Sequence, residues 1–80
     1  MATNGPKPTA AQTYAARRAH IARLVDVLEL ELEKFDQKAA AEPQRWDYPG
    51  TLDYVRTSLI DLVEGLSGME RERIEEFLAE

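Results

Sequence analysis

One histidine, two serines and a large set of carboxylates are the candidates for chemistry, and cysteine is absent. A nucleophilic triad needs Ser or Cys activated by a base on a converging element. The base would be His20 and the nucleophile Ser58 or Ser67, yet neither serine sits in a nucleophile-elbow sequence. His20 reads instead as a surface or interface residue of a helix. Two carboxylates could meet across packed helices as general acid and base. They fall mostly opposite the apolar stripes, however, which marks a solvated surface. A di-metal helical bundle needs Glu-x-x-His pairs, and the sequence has none. The glycines form no phosphate-cradling loop. The residues therefore point to a protein that is not an enzyme, with no catalytic or metal site and no cofactor.

The arginines offer a different chemistry. Arg17, Arg18 and Arg23 lie within two turns of one helix, with Lys7 ahead of them and Tyr14 nearby. Such a cluster contacts phosphates or an acidic protein surface. Against that, the chain carries a net charge of −5, which argues against broad nucleic-acid binding. No helix-turn-helix or RNA-binding signature accompanies the cluster. An intramolecular role competes with the binding one: if the chain folds back on itself, Glu70, Glu72, Glu75 and Glu76 near the C-terminus come to face these arginines. The charge distribution favours that internal complementarity.

The elements that position these side chains follow from the apolar spacing. Leu52, Val55, Leu59, Leu62 and Leu66 recur in steps of three and four, one stripe of an α-helix. Ile60 and Val63 widen the stripe, and Asp53, Arg56, Asp61 and Glu64 lie off it. Upstream, Thr9-Ala10-Ala11-Gln12 matches a capping box. From there no Pro or Gly intervenes until Glu42-Pro43, so the first helix is expected over about 9–41, a length of about 48 Å. Tyr14, Ile21, Leu28 and Phe35 recur every seven residues, with Arg18, Val25 and Leu32 interleaved. That is a heptad-like seam with one polar member.

Leu24, Val27 and Leu30 do not fit that seam. A helix apolar on a second side touches a second neighbour, and the simplest one is another copy of the chain. The alternative is that these residues broaden one core face or stand singly exposed.

Residues 42–50, with two prolines and a glycine, are expected as a turn. Trp46 and Tyr48 in it have two readings. They lid the open end of a helical core, their polar atoms meeting water or backbone, or they anchor a partner; the lid reading is favoured.

Thr51 is the expected N-cap of a second helix over about 51–65, with Gly65 as its left-handed stop. Ser67-Gly68-Met69-Glu70 reads as a second capping box opening a third helix over about 68–79, with Ile74, Phe77 and Leu78 on its apolar face. The two later helices, about 22 and 18 Å long, nearly match the first. The expected fold is all-α: a long helix in an antiparallel hairpin with a broken return arm, dimerising into a helical bundle. Residues 1–8 are expected as a disordered tail and 9–80 as one helical-hairpin domain.

At 80 residues a lone domain is marginal without staples or self-association. No disulfide is available, so helix packing or a homodimer must supply the stability. No apolar run reaches the roughly 20 residues of a membrane span, and no signal peptide opens the chain; a soluble, cytoplasmic protein without membrane contact is expected. The sequence thus predicts a small protein–protein interaction module, such as an adaptor, regulatory subunit or assembly factor. Its interface is placed at Leu24, Val27, Leu30, Trp46 and Tyr48. The alternative is a nucleic-acid-associated regulator using Arg17, Arg18 and Arg23.

Overall fold

The computed structural model describes residues 7–80. Most of the expected N-terminal tail, residues 1–6, lies outside the described residues; Lys7 and Pro8 are exposed and carry no regular structure. The described residues form three helices and no strand: α1 (Ala10–Ala41), α2 (Asp47–Ser67) and α3 (Arg71–Ala79). The all-α expectation holds. None of these helices is long and apolar enough to cross a membrane. The chain divides into two units between Ala41 and Glu42.

The first unit is α1. Its start follows the expected capping box: Gln12 N donates to Thr9 Oγ1 at 3.0 Å, and Thr9 N donates to Gln12 Oε1 at 2.9 Å. Two of the orphan donors at the helix start are thereby satisfied. Good helix formers then run unbroken to Ala41, and the residue before Pro43 is driven out of helical backbone. No residue of this 32-residue helix is buried. Leu28, Leu32 and Phe35 of the heptad seam are half-buried, as is Ala39.

The second unit, Glu42–Glu80, holds the turn, α2 and α3. Here two boundaries differ from expectation. Helix α2 begins at Asp47, not near Thr51. Proline is tolerated in a first turn, where its missing N–H has no partner to lose. Pro49 occupies that turn, and Gly50 N then donates to Trp46 O at 3.1 Å, the first full helical hydrogen bond. Thr51 caps nothing; its hydroxyl donates back to Asp47 O at 3.0 Å.

At the other end, Gly65 does not stop the helix. The stop is Gly68, with φ 74, whose N–H donates to Glu64 O at 3.1 Å. The expected second capping box does not form either. Ser67 Oγ donates to Val63 O at 2.6 Å and accepts from Met69 N at 3.0 Å. Helix α3 starts at Arg71, after an extended Glu70 that makes no side-chain cap.

Helices α2 and α3 pack together around Ile60 (4% exposed) and Ile74 (6%). Charge pairs flank this contact: Arg56 Nη2 to Glu75 Oε1 at 3.6 Å, Arg71 to Glu64 at 3.7 Å, and Arg71 to Asp61. Arg71 of α3 thus pairs across to α2. The buried residue of α2 is Ile60, not Leu59 of the leucine stripe. At about 100° per residue the stripe Leu52, Leu59, Leu66 is centred about 100° around the helix from Ile60. Leu52, Leu59, Leu62 and Leu66 accordingly remain exposed.

Candidate interaction surfaces

Three surfaces carry the residues singled out by sequence. The first is the apolar part of α1. Leu24, Val27 and Leu30 are 65%, 51% and 57% exposed, and Ile21 and Val25 beside them are exposed as well. The triplet is not a straight line. Each step of three residues turns the direction by about 300°, so Leu24 and Leu30 point about 120° apart. Leu24 shares its side with Ile21 and the half-buried Leu28, while Leu30 lies toward the opposite side.

The second surface is the basic cluster. Arg17, Arg18 and Arg23 are exposed, and among the described residues they enter no ion pair. They do not share one side of α1: Arg18 and Arg23 point about 140° apart. His20 is exposed on the same stretch.

The third surface is the turn before α2, which is built around Arg45. Its guanidinium makes a two-point contact with Asp47, Nε to Oδ1 at 3.0 Å and Nη2 to Oδ2 at 2.7 Å. Its Nη1 reaches Glu42 Oε2 at 3.3 Å. Tyr48 donates its hydroxyl to the same Glu42 Oε2 at 3.0 Å, and the Arg45 guanidinium carbon lies 5.2 Å from the Tyr48 ring centroid. The Arg45 hydrogen bond holds the Asp47 carboxyl below the ordinary carboxylate range. The Glu42 carboxylate, as acceptor, pushes the Tyr48 phenol up. Asp47 likewise raises the already high pKa of Arg45. All these shifts fix the charge states of neutral solution and move no group toward proton exchange at pH 7.

This cluster was not foreseen. The signal in the sequence is Glu42-x-x-Arg45-x-Asp47-Tyr48, opposite charges at turn and helix-start spacing. Of those aromatics, Tyr48 is half-buried within the cluster. Its hydroxyl donates to the Glu42 carboxylate. Trp46 is 84% exposed and lids no core. It stands at the N-cap of α2, with its indole presented to solvent.

In comparisons with known proteins, no family model, no curated protein and no solved structure matches the chain.

Proposed function

We propose that the protein is a small non-enzymatic interaction module that works by helix packing and self-associates as a homodimer in the cytoplasm. One observation carries the reading. Helix α1 runs for 32 residues without a buried residue, yet presents Ile21, Leu24, Val25, Val27 and Leu30 at its surface. Several exposed apolar residues on one helix support association. Removal from water is worth about 25 cal/mol per Å².

The proposed assembly has two contacts. The uncovered leucine stripe of α2 returns along the Tyr14–Ile21–Leu28–Phe35 seam as an antiparallel hairpin broken at Gly68. The side bearing Leu24 and Val27 meets a second chain, and Trp46 at the head of α2 adds an aromatic anchor. The test is the mass in solution of the chain and of a Leu24→Glu/Val27→Glu variant. A dimer that the variant reduces to a monomer supports the reading; a monomeric parent chain refutes it.

A second reading, from a different class, is a nucleic-acid-associated regulator. It is favoured by the exposure of Arg17, Arg18 and Arg23 without ion-pair partners among the described residues. Retention on DNA at low salt, abolished in an Arg17→Ala/Arg18→Ala/Arg23→Ala variant, would establish it. Absence of retention leaves the packing module.

A further inference from the structure

We propose that α1 pairs with α1 of a second copy in antiparallel orientation, with Leu24 on the two-fold axis and Arg17 of each copy against the partner's Glu31. This rests on the dimer reading above and adds its orientation and register. In a two-fold interface residue i meets residue j, and j meets i. The sequence around Leu24 is complementary in that sense. Ile21 and Val27 stand one step of three on either side of it, so apolar meets apolar. Arg17 and Glu31 stand one heptad on either side, so cation meets anion.

All five residues lie within about 120° of the α1 surface, because a step of seven drifts by only about 20°. Leu24, Ile21 and Val27 are exposed there, as are Arg17 and Glu31. Arg17 has no ion pair among the described residues. Among the described residues Glu31 pairs with Lys34, at 3.0 Å on the same helix, with both side chains exposed. A solvated pair of that kind exchanges at small cost.

The wider charge pattern selects the same orientation. The half of α1 before Asp26 carries Arg17, Arg18 and Arg23 and no acid; the half from Asp26 onward carries five acids and two lysines. Parallel pairing would set Arg17 on Arg17 and Glu31 on Glu31. Antiparallel pairing sets the basic half on the acidic half and opposes the helix dipoles. Within one chain Arg17 and Glu31 are about 21 Å apart along the helix, beyond a Debye length in physiological salt. Any coupling between them therefore reports contact between chains.

The absence of cysteine makes the test clean. Arg17→Cys and Glu31→Cys chains are oxidised separately and as an equal mixture, alongside sedimentation of the parent chain. The proposal expects a disulfide-linked dimer in the mixture and not in either chain alone. In a second measurement, Arg17→Glu weakens dimerisation about three- to thirtyfold by losing two exposed pairs, and Arg17→Glu/Glu31→Arg restores it. Self-linking of either single variant, or a dimer that forms no mixed disulfide and shows no rescue, overturns the orientation while leaving the dimer. A monomeric parent chain overturns the dimer itself, and the orientation with it.

Discussion

The two units of this chain treat their apolar residues in opposite ways. In the second unit, α2 and α3 pack together and bury Ile60 and Ile74, and Arg56–Glu75 and Arg71–Glu64 link the two helices. In the first, no residue of α1 is buried, and its apolar residues are half-buried or exposed. The contrast follows from connectivity. A helix broken at Gly68 can fold against its own continuation, because left-handed backbone reverses the chain within a few residues. An unbroken helix cannot fold against itself, since its side chains radiate from a rigid axis. The second unit thus holds a locally satisfied helix pair, while α1 keeps its apolar residues at least partly exposed.

The largest expected effect lies in the closed pair. Ile60→Ala should cost about 2–4 kcal/mol, measured as a fall in urea midpoint, because the side chain is lost from the only α2–α3 contact core among the described residues. The equivalent truncation on α1, Leu24→Ala, should leave that unfolding unchanged at low protein concentration and weaken only association. Equal losses at the two sites would erase the distinction between the units.

The chain reversal itself comes next. Gly68→Ala forces a side chain into left-handed backbone, φ 74, and should cost about 1–2 kcal/mol. Gly65, three residues earlier, is ordinary helix with open space where a Cβ would stand. Gly65→Ala should therefore raise the thermal midpoint, by a gain of about 0.5–1 kcal/mol. A loss at Gly65 would mean that α2 ends there.

A smaller effect belongs to the start of α1. Thr9→Ala removes the hydroxyl that accepts from Gln12 N and should lower helicity by circular dichroism, at a cost of about 1 kcal/mol. The smallest effects come from the exposed Arg45 cluster and appear only at extreme pH. Asp47 is held below its ordinary 3.8, so its contribution is present above that value and fades as pH falls through the lowered one. Tyr48 is raised above its ordinary 10.0, so its contribution is full below pH 10.0 and fades as pH rises through the raised value. Ultraviolet titration of the parent chain against Tyr48→Phe should show that one phenol ionising last.

Much of α1 was legible in advance, because both of its ends are written locally: a reciprocal Thr9–Gln12 box and a Glu42-Pro43 stop. The ends of α2 were not, and the reason is positional. Pro49-Gly50 reads as a breaker in isolation, but a proline in the first turn loses no hydrogen bond. Two glycines, Gly65 and Gly68, compete as the stop. The choice between them depends on where Glu64 O finds its donor, which composition does not specify. By spacing Ile60 reads as the edge of a leucine stripe, because spacing defines faces but not which face meets a neighbour. The Arg45 cluster depends on side chains fanned from a five-residue turn, and helical periodicity has nothing to say about it.

Sedimentation equilibrium of the intact chain tests the central claim most directly. The account predicts twice the 9.1 kDa of one chain, falling to a single chain in Leu24→Glu/Val27→Glu. A parent chain of 9.1 kDa at every concentration, or a double variant still at twice that mass, would contradict it.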